Sequence, residues 1–319
     1  MSPVKTTVKE YLAQWLPKHT QQLSDKTKEN YKKMIENHIT PNIGTIPIQK
    51  LNAGQIENMY TALGDSKRKS PLSPKSIHYV HAVLNASLKA AVRLRLLSAN
   101  PCNHVKLPER KSTFEGTIIP PDQVGLYLDA LKGTWVYPAV IISITCGLRR
   151  GELLGLKWSD INLKTRKLTV NRSAYRVGSE MHEKPPKNGK TRSVYISTAL
   201  GDLLRQHKKE RRHHRLLYGP EYIPSDYVVV YDDGRRPRPD GLSRFFRRRI
   251  KAAKLPHVRF HDLRHTAASL MILGGNDIKT VSDTLGHSSI SITADIYAHT
   301  IDEARKQLAD SMDKYLKNQ

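Results

Sequence analysis

Four stretches in the first hundred residues repeat apolar side chains every three or four positions, the spacing of one helix face. They cover residues 5–17, the run after Ser24, the run after Asn52, and residues 73–97, where Ser73 can cap a helix that has Pro74 at its first position. Pro41 and Pro47 are expected to end the second helix. The pattern predicts a compact four-helix unit over residues 1–106. Its inward-facing residues are Val8, Tyr11, Leu12 and Trp15, then Tyr31, Met34 and Ile35, then Ile56, Met59, Tyr60 and Leu63, and last Ile77, Val80, Leu84 and Leu88.

The periodicity stops over residues 107–121, which are polar and interrupted by prolines and are typical of an interdomain linker. Residues 122–319 then alternate two kinds of pattern. Helical patterns recur at 122–131, 137–144, 151–156 and 199–217. Strand-like alternation occurs at 167–171 and 191–196, and a further short strand is predicted at 227–231. The chain is therefore predicted to be mainly α with a small β-sheet, an α+β fold in two domains.

Charge narrows the choice of partner. The 319 residues carry 53 Lys and Arg against 29 Asp and Glu, a formal net charge of +24. Such an excess predicts a polyanionic partner, and nucleic acid is favoured over a membrane because no stretch reaches the roughly 18 apolar residues of a membrane span. The two cysteines, Cys102 and Cys146, fall in different predicted domains and imply no disulfide framework. With no apolar leader, the cytoplasm is the expected compartment.

Two cationic regions are the strongest candidates for contact with a polyanion. One is the polar loop 65–73, and the other spans residues 235–251, where Leu242, Phe245, Phe246 and Ile250 can form a buried stripe with arginines on the outer face. For the remaining lysines of the first domain, a solvated surface is an equally good interpretation. The candidate DNA-binding residues are Lys67, Arg68, Lys69, Arg235, Arg236, Arg238, Arg244, Arg247, Arg248 and Arg249.

Most of the candidate catalytic side chains lie within residues 261–297. On a helix, the i, i+3 spacing of His261 and Arg264 puts both side chains on one face, where both can donate hydrogen bonds to a phosphate. Tyr297 supplies a hydroxyl that such neighbours can activate. Upstream, Gly147 is expected to cap a helix in the left-handed conformation, and Arg149 then lies at the start of the next helix. Lys187 stands beside an Asn-Gly pair that predicts a tight hairpin.

These residues occur in the same order, and within the same kinds of sequence motif, as in a known family. Gly-Leu-Arg149-Arg-Gly-Glu152, Lys187, His261-Asp-Leu-Arg264-His-Thr, Leu-Gly-His287-Ser and Asp-Ile-Tyr297 resemble the motifs of the tyrosine recombinases, or phage integrases. The motif sequences most resemble those of integrases from temperate phages and conjugative transposons. The resemblance implies an N-terminal SAM-like core-binding domain that clamps DNA, followed by a mixed α+β catalytic domain.

The resemblance also implies roles for the individual residues. Tyr297 is the nucleophile that forms a 3′-phosphotyrosyl link, Arg149 and Arg264 hold the non-bridging oxygens, and Lys187 is the general acid for the leaving oxygen. His261 and His287 add hydrogen bonds, and Glu152 orients the neighbouring cations. No cofactor or metal is expected, because the covalent link preserves the bond energy.

The implied biology is integration or excision of a mobile element in a bacterial host, at the nucleoid. The expected partners are double-stranded DNA attachment sites, bound by a tetramer with two protomers on each site, and an accessory DNA-bending protein or an excisionase. A last helix is predicted over residues 302–316, and its apolar stripe of Ala304, Leu308, Met312 and Leu316 can pack on its own domain or dock on a neighbouring protomer. Residues 4–15 already read as the first core-binding helix, so an arm-binding domain is either missing from this recombinase or lies outside this sequence.

Three other interpretations compete with this one. His261 and His265 have the i, i+4 spacing of a zinc pair, but the Glu of the metalloprotease motif is missing and Arg264 lies between them, so His265 is more simply a packed or capping residue. A type IB topoisomerase uses much the same tyrosine chemistry without exchanging partners. A catalytically silent DNA-binding regulator is disfavoured because every expected active-site position holds a competent residue.

Overall fold

A computed structural model describes residues 6–109, 116–186, 189, 191–286, 289–290, 293–294 and 297. The predictions for Lys187, His287 and the helix at 302–316 lie outside the described residues. Contacts divide the chain into two compact units, residues 1–113 and 114–319. Both contain their own apolar core, and the fold is mainly helical with small sheets, as the sequence predicts.

The first unit is built from helices α1 (Val8–His19), α2 (Asp25–Met34), α3 (Thr40–Ile43), α4 (Ala53–Gly64) and α5 (Pro74–Arg93). Its core confirms most of the predicted inward faces: the apolar residues named for the first, third and fourth helices are buried. Tyr31 and Met34 are only partly buried and pack against that core. Ser73 accepts a hydrogen bond from the backbone N–H of Ser76, so it caps α5 as predicted.

The prediction that Pro41 ends the second helix is wrong. Between α2 and α3, residues Ile35–Ile39 form a π-helical turn, and the backbone N–H of Thr40 donates to Ile35 O. Pro41 therefore falls at the start of α3, a position where a residue without an N–H is tolerated. The helical path continues without a break to Ile43.

The second unit contains α6 (Val124–Asp129), α7 (Tyr137–Cys146), α8 (Arg150–Gly155), α9 (Thr198–Tyr218), α10 (Pro239–Ala252), α11 (Asp262–Leu273) and α12 (Ile278–Leu285). Its strands are β1 (Ile161–Asn162), β2 (Lys167–Val170), β3 (Ser173–Val177), β4 (Glu180–Lys184) and β5 (Arg192–Tyr195). All pairings are antiparallel, in one sheet of order β1-β2-β5 and a separate hairpin β3-β4.

Two strand predictions need correction. The Asn-Gly pair at 188–189 does not join paired strands, because β4 before it pairs with β3 whereas β5 after it pairs with β2. Residues 227–231 form no strand; Tyr227 makes a single bridge to Lys157, and Val228, Val229 and Val230 are all buried. Burial on every side chain, rather than alternation, explains why the β-branched run is apolar without pairing in a sheet.

The core of the second unit runs along α7, which is buried on nearly every side, and includes the inner face of α10. Leu242, Phe246 and Ile250 are buried as predicted, and Phe245 packs against them at the edge. In the part of the chain that the structure describes, no helix is both long and apolar enough to span a membrane.

Candidate active site

Gly147 sets the path of the chain into the first arginine motif. It ends α7 in the left-handed conformation, with φ of 63°, and its N–H donates to Ser143 O. Leu148 is buried, and Arg149 then becomes the residue that precedes α8. A Cβ atom on Gly147 would lie 2.3 Å from Leu285 Cδ2, so a larger residue here would have to displace the buried Leu285 side chain at the end of α12.

The second arginine motif lies at the start of α11. His261 is the residue before the helix and is only partly covered by its neighbours, whereas Arg264 in the first turn is 3% exposed. Arg264 does not point to solvent: Nη1 donates to Gly147 O at 2.6 Å and Nη2 to Leu285 O at 2.7 Å. Thus Arg264 connects the end of α7, α11 and the end of α12.

The C-terminus of α12 accepts hydrogen bonds from three arginines. The last carbonyl groups of a helix have no intrahelical partner and carry partial negative charge, so guanidinium groups are favourable partners there. Here three consecutive carbonyls are used, and the helix ends at Gly286 in the left-handed conformation. The pairs are Arg192 Nε with Thr284 O at 2.9 Å, Arg264 Nη2 with Leu285 O at 2.7 Å, and Arg149 Nη2 with Gly286 O at 2.9 Å.

Glu152 is the buried counterion of this cluster, with only 2% of its surface exposed. Its carboxylate accepts from Arg149 Nη1 at 2.9 Å, and from Arg192 Nη1 and Nη2 at 3.0 and 2.7 Å. Burial raises the pKa of Glu152, but the hydrogen bonds and charge of Arg192, together with Arg149, outweigh it and hold that pKa at about 2. One carboxylate therefore faces three guanidiniums, and the site keeps an excess of positive charge.

That excess is visible at Arg264. Burial, followed by repulsion from Arg149, lowers the pKa of Arg264 to about 9, and Glu152 opposes the shift. The guanidinium remains charged at neutral pH. An anion bound here would relieve the repulsion, which makes the cluster a receptor for a group such as a phosphodiester.

A cavity of about 390 Å³ opens beside the cluster and is lined by Arg149, Arg150, Glu152, Ser173, Lys184 and His261. Burial and then Arg264 lower the pKa of His261, so its imidazole is neutral at pH 7 and can donate one hydrogen bond into this space. The volume falls within the range of ligand-binding clefts.

Tyr297 is buried, with 1% of its surface exposed, and its hydroxyl lies 2.7 Å from His265 Nδ1. Burial raises the pKa of Tyr297 well above its ordinary value, and the charge of Arg264 opposes that rise. His265 sits one turn beyond His261 on α11, with the two ring centroids 5.3 Å apart. The nucleophile candidate and the cation cluster thus belong to one site.

The structure brings together Arg149, Glu152, His261, Arg264 and Tyr297 from the predicted set, while Lys187 and His287 are outside the described residues. Sequence reasoning missed two members. Arg192 falls within a predicted strand, and nothing local reveals its partner 40 positions away. His265 has the properties of a packed or capping residue in the sequence, and its i, i+4 spacing from His261 is the available signal for a role in the site.

Most of the candidate DNA-binding side chains are exposed, including Lys67, Lys69, Arg238, Arg247 and Arg248, while Arg68 is partly buried. Among these exposed arginines, Arg235 pairs with Asp233 and Arg244 with Asp240, each within four positions along the chain, whereas Arg249 donates to the distant Ala130 O.

Arg236 differs from these exposed side chains. Its guanidinium donates to Leu154 O at 3.0 Å and to Glu183 at 2.7 Å, and it stacks 3.7 Å from the Tyr227 ring centroid. The Arg236 guanidinium is therefore bound by partners within the protein itself.

Comparison with known proteins identifies the family of this chain. Residues 118–304 match the phage integrase family, and residues 7–64 match the phage integrase N-terminal SAM-like domain. A XerC-like tyrosine recombinase of Caldanaerobacter subterraneus is 30% identical over 81% of this chain and 70% of its own length. The ICEBs1 integrase of Bacillus subtilis is 29% identical over 90% of this chain and 77% of its own length.

Solved structures share the fold. The Tn1549 transposon integrase in complex with circular intermediate DNA superposes with a TM-score of 0.80 at 20% identity, covering 96% of this chain and 99% of that one. A lambda integrase tetramer bound to a Holliday junction gives a TM-score of 0.74 at 18% identity, covering 92% and 77%. The chain belongs to the phage integrase family and is a tyrosine recombinase, an enzyme of site-specific DNA recombination.

Proposed function

We propose that this recombinase cuts DNA by attack of the Tyr297 hydroxyl on a phosphodiester, which gives a 3′-phosphotyrosyl link and a free 5′-hydroxyl. The observation that carries the proposal is that Arg149 and His261 line one cavity and the buried Arg264 belongs to the same cluster. Tyr297 is close enough for the charge of Arg264 to oppose the rise that burial causes in the tyrosine pKa. A cluster with excess positive charge fits the pentavalent transition state, in which negative charge gathers on the non-bridging oxygens.

The two arginines bind those oxygens. A guanidinium carries five N–H donors, so Arg149 can hold Glu152 and Gly286 O and still donate to phosphate. Because these internal partners fix the planes of both guanidiniums, they are oriented before DNA arrives, and little reorganisation is needed at the moment of reaction. His261 donates a further hydrogen bond, and His287, which directly follows Gly286, is assigned the same role.

Lys187 protonates the 5′-oxygen as it leaves, so the released strand carries a free hydroxyl. The phosphotyrosyl link keeps the free energy of the broken bond, and attack by a 5′-hydroxyl from a partner strand reverses the reaction on a new strand. Lys184 also lines the cavity, where its ammonium lies 5.1 Å from the Tyr175 ring centroid. Lys184 is thus a matched control for tests of Lys187.

A covalent-trapping assay tests the nucleophile. The protein is mixed with nicked suicide substrates that carry candidate attachment sites, in the presence of EDTA, and the products are separated on a denaturing gel. We expect an adduct that maps to Tyr297, is lost in Tyr297→Phe, and is retained in Tyr195→Phe, which alters an exposed tyrosine on β5. An adduct that survives Tyr297→Phe would overturn the assignment.

The working assembly is four protomers on two double-stranded attachment sites, aided by a DNA-bending protein or an excisionase. Support comes from the fold shared with a lambda integrase solved as a tetramer on a Holliday junction. Sedimentation of the protein with a synthetic four-way junction is expected to give four protomers per junction. Transfer of the trapped strand to an unrelated duplex tests exchange between partners, whereas re-ligation confined to the original partner would indicate a topoisomerase.

A further inference from the structure

The Tyr297 hydroxyl is hydrogen-bonded to a side chain to which none of the roles assigned above refers. The partner is Nδ1 of His265, at 2.7 Å. His265 lies in the first half of α11, whose neighbouring residues Arg264, Thr266 and Ala267 are all buried, so the backbone that carries the imidazole is held firmly. The contact therefore joins the reacting oxygen to a titratable group at a fixed position.

The reacting oxygen needs a proton acceptor. An unperturbed tyrosine is ionised in only about one molecule in a thousand at pH 7, and burial raises the pKa of Tyr297 further. A neutral imidazole nitrogen can accept the phenolic proton. Burial, followed by repulsion from His261, lowers the pKa of His265 to about 4, so the ring is neutral at pH 7. The other charged groups that face it are Asp262, Arg264 and Arg259.

We propose that His265 is a catalytic residue that takes the proton from Tyr297 as the phenolic oxygen attacks phosphorus. The proposal rests on the function proposed above. In the step, the Tyr297 oxygen–phosphorus bond forms and the bond from phosphorus to the 5′-oxygen breaks. The phenolic proton moves to Nδ1 of His265, and the 5′-oxygen receives a proton from Lys187. In the rejoining step, His265 returns its proton to the departing tyrosine.

The lowered pKa of His265 keeps its ring neutral before the reaction begins. Burial, followed by the nearby positive charges, disfavours the imidazolium while the site is empty, which keeps Nδ1 available as an acceptor. As negative charge gathers on the phosphoryl oxygens, it offsets the same cations and makes the protonated ring easier to form. His265 then differs from His261, whose imidazole lines the cavity and faces the phosphate rather than the nucleophile.

A competing role for the same contact is a latch that only holds Tyr297 in its buried position. The two roles separate in His265→Asn, because the asparagine oxygen can accept a hydrogen bond near the position of Nδ1 but cannot take up a proton. His265→Ala removes both abilities. His207→Asn is the control for replacing a buried histidine, since its Nε2 contacts Val228 O at 2.9 Å.

The test measures single-turnover cleavage of suicide substrates between pH 6.5 and 9, with either an ordinary phosphodiester or a 5′-bridging phosphorothiolate at the cut site. The thiolate leaves without a proton, so the second substrate bypasses Lys187 but not the activation of Tyr297. We expect His265→Asn and His265→Ala to lose about 10²-fold in rate on both substrates at pH 7. The cleavage rates of both His265 variants should rise about tenfold per pH unit, as expected when hydroxide replaces His265 as the base. The Lys187→Ala variant should instead recover its cleavage rate on the phosphorothiolate substrate.

A His265→Asn rate within about threefold of wild type would reduce His265 to a positioning residue, and faster cleavage by His265→Ala would identify a latch. Either result overturns the proposal while leaving Tyr297 as nucleophile. Absence of an adduct with the wild-type protein would instead overturn the function itself. Nitrogen-15 NMR of histidine in the unmodified protein gives a second measurement: the neutral His265 ring must carry its proton on Nε2, and a proton on Nδ1 would contradict the proposal.

Discussion

Arg192 donates two hydrogen bonds to the buried carboxylate of Glu152, at 2.7 and 3.0 Å, and a third to Thr284 O at 2.9 Å. One side chain on β5 thereby ties α8 to the end of α12. Both elements also hold Arg149, through Glu152 and through Gly286 O. Arg192 is therefore a positioning residue, because it fixes Glu152 and the end of α12, the two hydrogen-bond partners that orient Arg149.

Replacing Arg192 by Leu is expected to leave Glu152 with an uncompensated share of buried charge and to cost about 3 kcal/mol of the free energy of unfolding. Adduct formation should fall about 10²-fold, because Arg149 loses its fixed orientation. Urea unfolding and the trapping assay measure the two effects. Arg172→Leu is the control, since it breaks a similar ion pair with Asp160, at 2.5 Å, away from the cluster. Equal loss of cleavage in both variants would contradict the role of Arg192.

Gly147 and Gly133 offer a matched pair of glycines with φ of +63° and +74°. An alanine at either position adds about 1 kcal/mol of backbone strain. Only at Gly147 does the new Cβ meet a neighbour, Leu285 Cδ2 at 2.3 Å, whereas nothing lies within 4 Å at Gly133. Gly147→Ala is expected to push away the carbonyl that Arg264 binds and to abolish most cleavage. Gly133→Ala should only lower the melting temperature, and similar cleavage by the two variants would refute this account.

Arg247 and Arg236 should affect DNA binding in different ways. Arg247 is exposed on α10, so Arg247→Ala is expected to change stability by less than about 0.5 kcal/mol and to reduce the slope of log affinity against log salt by about 1. Arg236 is bonded to Leu154 O and Glu183. Arg236→Ala should cost about 2 kcal/mol of stability and leave the salt slope unchanged. Filter binding across salt concentrations and thermal melts measure both, and a reduced slope for Arg236→Ala would contradict the assignment.

The pH dependence of stability should show two windows. The pKa of His265 is lowered from 6.5 to about 4, so between these values the unfolded chain binds a proton that the folded chain does not. Stability is full above about pH 6.5 and falls as pH drops towards 4, by on the order of 2 kcal/mol. The pKa of Glu152 is lowered to about 2, so its contribution is present above about pH 4.5 and is lost from there to pH 2.

Denaturant unfolding at a series of pH values measures these windows. His265→Asn should reduce the loss of stability in the upper window, to which His207 and His261 also contribute because burial lowers their pKa values. Glu152→Gln should reduce the loss in the lower window, which Glu183 and Asp240 share. The control is His257, an exposed histidine: His257→Asn should leave the curve unchanged. An upper window that is the same in His265→Asn and wild type would show that other groups cause it.

The helices and their ends were the features that the sequence predicted best. The cap at Ser73, the left-handed glycine at Gly147 and the buried stripe on α10 are all local consequences of residue type and spacing, and all were confirmed. The failures were also informative. Proline usually ends a helix, but before Pro41 a π-helical turn changes the hydrogen-bonding pattern and the helical path continues. Local residue propensities do not predict such a turn.

The sequence by itself determined which chemistry is available: the arginines, histidines and tyrosine of the motifs, their order, and the excess of positive charge. Only the tertiary structure decided how these groups are arranged. Arg149 and Gly286 are 137 positions apart, and Arg264 and Gly147 are 117 apart. Those pairings follow from the packing of α7, α8, α11 and α12, not from any local periodicity. The same packing put His265 against Tyr297, because a hydrogen bond between distant residues depends on where two backbones meet in space.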